Sequence, residues 1–202
     1  VLQQNKWNVH VYLNNEAQEY KIKELVSPQV LHIATHGFYD FDVEKENVSM
    51  RGSASASIKN PLLRSGLMMA GSAYIYQMLG SFEFLQNVED GILTANEVIN
   101  LNLTNTDLVV LSACESRIGK MTINDAEGVY GMQRSFLMAG ANAVIASSWA
   151  VDDKATFELM AKFYHHWIQS GNKNDAFRNA QLELKEEFSY PYFWGAFVKL
   201  GE

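Results

Sequence analysis

The stretch that determines the fold is DLVVLSACES, residues 107–116. Its apolar run without polar alternation is typical of a strand that is buried on both faces of a parallel sheet. Cys114, the single cysteine among 202 residues, follows almost at once. A lone cysteine at the end of an apolar strand suits either a packed core position or a nucleophile. The choice between these roles depends on whether other segments place reactive side chains at the same end of the sheet.

The bulk composition indicates a globular domain. The chain is 48% hydrophobic and 19% charged, and its length suits one domain with a proper core. A net charge of −7 argues against a broad nucleic-acid-binding surface, so we expect no direct nucleic acid partner. One cysteine cannot form an internal disulfide, which favours a cytoplasmic location. The sequence shows neither an unbroken apolar span nor a signal-peptide pattern at its start, and we expect no membrane association.

Apolar and β-branched segments predict the strands, and segments with helical spacing lie between them. The predicted strands are VHVYL (9–13), QVLHIAT (29–35), GLMMAG (66–71), DLVVLSA (107–113), NAVIASSW (142–149) and YPYFWGAFVKLG (190–201). Unalternated strands separated by helices indicate an α/β fold, with a mostly parallel central sheet and helices on both faces.

Capping signals predict where the helices begin and end. We expect helices over 16–25 (capped by Asn15), from the capping box TANE (94–97), and over 124–140, 154–171 and 174–187. Asp152 or Asp153 suits the cap of the fourth helix, and Gly171 its end. Polar residues about 40–66 predict a flexible loop. The aromatic insertion at about 72–89 is either a surface hairpin or a substrate exosite or self-blocking flap.

Two of the predicted strands end on reactive side chains. HIATHG (32–37) delivers His36, and LSACES (111–116) delivers Cys114, to the strand ends where α/β sheets collect their ligands. If the strands are parallel near neighbours, about 4.8 Å apart, the imidazole and the thiol face one gap. A free cysteine is only about 3% thiolate at pH 7, and a neighbouring imidazole favours the thiolate and later protonates a leaving amine. The pattern predicts a His/Cys dyad for nucleophilic catalysis.

Gly37 leaves backbone room beside His36 for a substrate carbonyl. Its N–H group and that of Cys114 are candidate donors to an oxyanion. Each member of the dyad also has a structural alternative, Cys114 as core packing and His36 as a hydrogen-bonded structural histidine. A metal site is disfavoured, because the rings of His32 and His36 on one strand are separated by roughly 13 Å. We therefore expect neither a metal nor another cofactor.

Five ordered blocks also resemble the successive motifs of the CHAT domain, the caspase-like peptidase domain often found behind tetratricopeptide repeats in bacteria. The blocks are VLHIATHGFYD, DGILTANEV, DLVVLSACES, AEGVYGMQRSFLMAGANAVIASSWAVDD and PYFWGAFVKLG. The resemblance runs from about residue 8 to 201, with gaps at 40–66 and 72–89. It implies one caspase-like domain over 1–202, a three-layer sandwich, with a further strand–helix unit and a repeat region upstream.

The resemblance also implies roles for individual residues. The family belongs with caspases, separases and gingipains (clan CD), in which the histidine precedes the cysteine, as it does here. His36 is then the general acid/base and Cys114 the nucleophile. Asp152 and Asp153 resemble pocket carboxylates of separase-type proteases, although helix capping alone accounts for one of them. Asp90 and Glu115 are further candidates for the substrate pocket.

The activity implied is that of a cysteine endopeptidase that cleaves specific protein substrates through a thioester. Relatives are regulated by a repeat domain or an activating protein partner, and some act in bacterial antiphage defence. Two alternatives stay open: a caspase-fold interaction module without turnover, and a thiol hydrolase of amidotransferase type. The order of His36 before Cys114 disfavours the second, in which cysteine usually comes first.

Overall fold

The computed structural model of the chain describes residues 1–39, 61–63, 65–72, 89–115, 125–150 and 152–202. At residues 39, 61, 113–115 and 125–130 the description covers the backbone alone. Most of the loop predicted at 40–66 and of the insertion predicted at 72–89 lies outside the described residues.

The described strands form one mixed sheet of six, in the order β3-β2-β1-β4-β5-β6. They are β1 (Val30–Tyr39), β2 (Ser65–Met68), β3 (Ile92–Thr94), β4 (Leu108–Glu115), β5 (Ala143–Ser147) and β6 (Phe197–Gly201). The pairings of β1 with β4 and of β4 with β5 are parallel, whereas β2 and β6 run against their neighbours. Four of these strands therefore point the same way, which confirms the predicted α/β fold with a mostly parallel sheet.

Helices connect the strands and cover the two faces of the sheet. In the described ranges they are α1 (Glu19–Lys23), α2 (Ala95–Val98), α3 (Asp125–Met138), α4 (Asp153–Ser170), α5 (Lys173–Glu187) and α6 (Pro191–Trp194). Short 3₁₀ turns lie at Gln3–Asn5, Asn14–Glu16 and Pro61–Leu63. No helix in the described part of the chain is both long and apolar enough to cross a bilayer.

The capping predictions for α2 and α4 are confirmed. Thr94 Oγ1 accepts a hydrogen bond from the Glu97 N–H at 3.3 Å, and Glu97 Oε2 accepts one from the Thr94 N–H at 2.9 Å. Asp152 Oδ1 accepts from the Ala155 N–H at 3.0 Å, so Asp152 caps α4 and Asp153 is its first residue. Gly171 ends α4 with a φ of 68°, a conformation that favours glycine.

Alternating side chains of the central strands enter two separate hydrophobic cores. One, the α3-side core, joins α3 to one face of the sheet through Leu31, Ile33, Val109, Leu111, Met132, Phe136 and Val144, among others. The other, the α4-side core, joins α4 and α5 to the opposite face through Leu108, Val110, Ile145, Leu159, Phe163, Phe177 and Leu184, among others. The two cores make the molecule a three-layer sandwich, as the sequence predicts.

Three predictions at the edges of the fold are wrong. Residues 9–13 do not form a strand, and among the described residues no neighbour pairs with them, so their β propensity has no ladder to join. The helix predicted over 16–25 is restricted to Glu19–Lys23 and follows Gln18 instead of being capped by Asn15. The aromatic strand predicted over 190–201 begins as α6, because Pro191 suits the first turn of a helix.

A cluster of charged side chains ties α1 to β3 and α2. Lys23 Nζ binds the carboxylate of Glu19 and lies 2.9 Å from Glu97 Oε1 and 3.3 Å from Glu89 Oε1. Glu19 is 2% exposed, and its other oxygen accepts the Gly91 N–H at 2.9 Å. Burial raises the pKa of the Glu19 carboxyl, and the bond from Lys23 opposes that rise. Lys23 thus neutralises buried charge that has no other cation within reach among the described residues.

A polar contact also joins α4 to β1. Tyr164 Oη lies 3.1 Å from His32 Nδ1, and the two ring centroids are 5.9 Å apart. His32 keeps some contact with solvent, but many protein atoms lie close to its ring. The resulting loss of hydration lowers the pKa of His32 to about 4. Burial also raises the pKa of Tyr164, so the hydroxyl keeps its proton. The pair is neutral around pH 7.

We expect Lys23→Met to lower the free energy of unfolding by about 3 kcal/mol, because Glu19 loses its counter-ion and must be buried either as an unpaired carboxylate or as a protonated acid. Residual solvent access to Lys23 keeps the effect near the lower end of the range for such pairs. Urea unfolding at neutral pH measures the change. The matched control is Lys154→Met, at an exposed lysine of α4, for which we expect a change below about 0.5 kcal/mol. Equal losses in the two variants would contradict the assigned role.

The neutral state of His32 predicts a loss of stability in mild acid. The unfolded chain takes up a proton on His32 near pH 6.5, whereas the folded chain does so only near pH 4. Between these values the unfolded state binds more protons, so the free energy of unfolding falls as the pH drops through this window. Comparing wild type with His32→Gln isolates the contribution, and His165→Gln, at an exposed histidine, serves as the control. If the free energy of unfolding of His32→Gln falls with pH as much as that of wild type, His32 does not cause the loss of stability.

Candidate active site

The two reactive residues predicted from the sequence occupy neighbouring positions in the sheet. In the parallel pairing of β1 with β4, His36 is the Cα partner of Cys114. Adjacent strands are about 4.8 Å apart, so this register brings the backbones of the two residues next to each other. Both strands are longer than predicted, and His36 lies three residues before the end of β1 instead of following it. The expectation that His36 and Gly37 come after the strand is therefore wrong, while their nearness to Cys114 is not affected.

The alternation of the strands assigns both residues to the same face of the sheet. Leu31 and Ile33 enter the α3-side core, so the even-numbered positions of β1, which include His36, face the other way. On β4, Leu108 and Val110 enter the α4-side core, and Cys114 continues their series. The side chain of Cys114 itself lies outside the described residues. The side chain of His36 is solvent-exposed, so the face that these two positions share is open at this point.

The residue types of the pair suit acyl-transfer chemistry. An imidazole beside a cysteine favours the thiolate, which is the nucleophilic form, and serves afterwards as a proton donor. Gly37 is buried within β1, where its Cα partners are Leu67 of β2 and Glu115 of β4. Gly37 therefore lies within the ladder with a strand on each side, and its role as a donor to an oxyanion stays a prediction.

The candidate pocket carboxylates are spread over different parts of the fold. Asp152 and Asp153 lie in the loop and first turn after β5, at the carboxyl edge of the sheet, and both are exposed. Asp90 lies two strands away from β1, before β3, and is buried. Its Oδ1 accepts the Ile92 N–H at 2.8 Å, and burial raises its pKa. The side chain of Glu115 lies outside the described residues.

Asp152, Asp153 and the backbone position of Glu115 thus lie at the edge of the sheet where the dyad lies. The carboxylate of Asp90 stabilises the turn before β3, because it accepts a hydrogen bond from the Ile92 N–H two residues further on. In the ranges that the structure describes, no three His, Cys, Asp or Glu side chains come together as metal ligands.

The contact between His32 and Tyr164 on this side of the sheet is not predicted from the sequence. His32 points to the same face as His36, and its partner Tyr164 is 132 positions away in the chain. The alternation of β1 predicts that His32 and His36 share a face, because they are an even number of residues apart. No local pattern predicts the contact with Tyr164, since that contact depends on how α4 crosses the sheet.

Comparison with known proteins gives consistent relatives. Tetratricopeptide repeat protein 28 of Homo sapiens is 27% identical over 190 residues, which are 91% of this chain and 7% of that protein. The protein of the same name from Mus musculus is 30% identical over 112 residues, which are 54% of this chain and 4% of that protein. The chain therefore spans less than a tenth of the length of these relatives. The family model of the CHAT domain matches residues 1–202, and the chain belongs to the CHAT domain family.

Proposed function

We propose that the chain is a cysteine endopeptidase domain that cleaves specific protein substrates, with Cys114 as nucleophile and His36 as general acid/base. The observation that carries the proposal is the register of the parallel pair, in which His36 and Cys114 are Cα partners. Membership of a caspase-like family supports it. The relatives are named for tetratricopeptide repeats, which supports regulation by a repeat region or by an activating protein partner. The cytoplasmic location and the bacterial antiphage setting stay predictions.

The proposed reaction proceeds in two halves. His36 takes the thiol proton, the Cys114 sulfur attacks the scissile carbonyl carbon, and a tetrahedral oxyanion forms. The C–N bond then breaks, and His36 gives its proton to the leaving amine, which leaves a thioester. In the second half His36 deprotonates a water that attacks the thioester. The C–S bond breaks, and the proton returns to the sulfur as the acid leaves.

Cys114 and His36 are tested by labelling and by hydrolysis together. We expect a peptidyl acyloxymethyl ketone to label the wild-type chain once, at Cys114, and Cys114→Ala to lose both labelling and peptide hydrolysis. His36→Gln should reduce hydrolysis by at least about 100-fold, since general acid/base catalysis contributes that much. His165→Gln, at an exposed histidine on α4, is the control and should keep the wild-type rate.

The alternative, a caspase-fold interaction module without turnover, predicts a different outcome of the same experiment. Such a module reacts slowly with the ketone, at a rate that His36→Gln does not change, and hydrolyses no peptide even with a repeat partner present. That result would overturn the endopeptidase proposal.

Asp152 is proposed to recognise a basic residue before the scissile bond. Asp152→Asn tests this specifically, because asparagine also caps a helix and so retains the bond to the Ala155 N–H while it removes the charge. We expect the variant to lose at least about tenfold of any preference for Arg or Lys over Gln in a peptide library. Asp153→Asn tests the second candidate carboxylate in the same way. A basic preference that survives in both variants would exclude either carboxylate as the pocket residue.

A further inference from the structure

The loop between β5 and α4 carries Asp152 and leaves the sheet beside the strand that carries Cys114. The last paired residues of β4 and β5 are Leu111 and Ala146. Cys114 and Trp149 each lie three residues further on, towards the carboxyl edge of the sheet. The loop therefore begins next to the end of β4 at which the dyad lies. Any movement of this loop changes the position of Asp152 relative to the dyad.

Helix α6 holds two consecutive residues of this loop. Trp149 Nε1 donates to the Tyr192 carbonyl at 3.0 Å, and the two rings stack with their centroids 6.4 Å apart. The Tyr192 hydroxyl donates in return to the carbonyl of Ala150. At the other end of the loop, Asp152 Oδ1 accepts the Ala155 N–H at the start of α4. The loop is thus tied to α6 on one side and to α4 on the other, and Tyr192 makes the contacts on the α6 side.

Helix α6 is itself fixed to the body of the domain. On α5, Gln181 Nε2 donates to the carbonyls of Trp194 at 3.2 Å and Phe197 at 3.0 Å. Phe193 and Trp194 pack against the α4-side core, and the Phe193 ring lies edge-on to the Tyr192 ring at 5.4 Å. Because the residues that follow it are fixed in this way, Tyr192 has a defined position from which to hold the loop.

Side-chain bonds continue the connection where the ladder between β5 and β6 ends. The last paired residues of that ladder are Ser147 and Phe197, and beyond them the Ser148 N–H donates to the Ala196 carbonyl at 2.8 Å. Further along the loop, the contacts with α6 in the described part of the chain come from side chains, namely the indole of Trp149 and the hydroxyl of Tyr192. The position of the loop therefore depends on a small number of bonds, which single substitutions can remove.

We propose that Tyr192 is a positioning residue for substrate selectivity, which holds the β5–α4 loop in the arrangement where Asp152 binds a basic side chain before the scissile bond. The inference rests on the proposed endopeptidase function, which it deepens by naming what fixes the selectivity carboxylate. Tyr192 acts through the loop and not by contact with the substrate. A binding group that occupies its productive arrangement for only part of the time binds its ligand more weakly by that fraction.

The test measures how fast peptidyl acyloxymethyl ketones alkylate Cys114 in the full chain. Two otherwise identical reagents carry lysine or glutamine next to the reactive ketone. We expect wild type to prefer lysine and Tyr192→Phe, which keeps the ring and removes the bond to Ala150, to lose about fivefold of that preference. The loss should lie in the reagent concentration that gives half the maximal rate and not in the maximal rate, because the position of the loop governs binding.

The matched control is Tyr190→Phe, which removes a hydroxyl from a tyrosine that is 67% exposed and lies two residues earlier. It should keep the wild-type preference. The double variant Asp152→Asn/Tyr192→Phe should have the same preference as Asp152→Asn alone, because the hydroxyl acts only through that carboxylate. Hydrogen exchange of a peptide spanning residues 148–156 gives a readout without any reagent. We expect faster exchange in Tyr192→Phe than in Tyr190→Phe.

Each outcome decides the inference. An unchanged lysine preference in Tyr192→Phe, or a wild type without such a preference, overturns the positioning role. A further loss in the double variant overturns it as well, because the hydroxyl would then act independently of Asp152. Unchanged hydrogen exchange in Tyr192→Phe also overturns it, since the loop would not depend on the bond. Failure of the endopeptidase function is distinct: peptide hydrolysis is then absent, while the lysine preference in alkylation is present in wild type and reduced in Tyr192→Phe.

Discussion

The parallel pairing of β1 with β4 is the constraint on which the rest of the molecule depends. Eight consecutive residue pairs hold the two strands in register, from Val30 opposite Leu108 to Gly37 opposite Glu115. A slip of one residue would turn every side chain of one strand to the other face, moving Leu31 and Ile33 out of the α3-side core. The apolar pattern therefore fixes the alignment, and that alignment brings His36 opposite Cys114.

The two faces of the sheet differ around the site, because one face of β1 is buried and the other is exposed. The α3-side core covers its face with buried apolar side chains along β1, β4 and β5, and supplies rigidity. The α4-side core covers β4 and β5 but leaves the positions His32, Ala34 and His36 of β1 open. The contact between Tyr164 and His32 joins α4 to β1 on this side of the sheet.

Much of the fold could be predicted from the sequence, because its signals are local. The unalternated apolar runs gave β1, β4 and β5, and the pattern of Thr94 with Glu97 gave a capping box that the structure contains in full. The register of His36 with Cys114 is non-local, and the sequence predicted only that the two residues share one edge of the sheet if their strands are parallel near neighbours. Residues 9–13 show the limit of local signals. Their composition favours a strand, but a strand forms only where a neighbouring strand is available for backbone hydrogen bonds. The contact between His32 and Tyr164 could not be predicted for a related reason, since it depends on how α4 crosses the sheet.

The cluster around Lys23 has a consequence for how the family can vary. The Met69 N–H donates to the Gly91 carbonyl at 2.7 Å, the Ala70 N–H donates to the Ala17 carbonyl at 2.9 Å, and Lys23 binds Glu89. These bonds join the two ends of whatever polypeptide connects Ser72 to Glu89, independently of its length. Closing a longer connection between fixed ends costs only about 0.6 kcal/mol for each doubling of length. Evolution can therefore lengthen, shorten or exchange this connection at small thermodynamic cost, and so diversify one surface of the domain while the paired strands that carry His36 and Cys114 stay as they are.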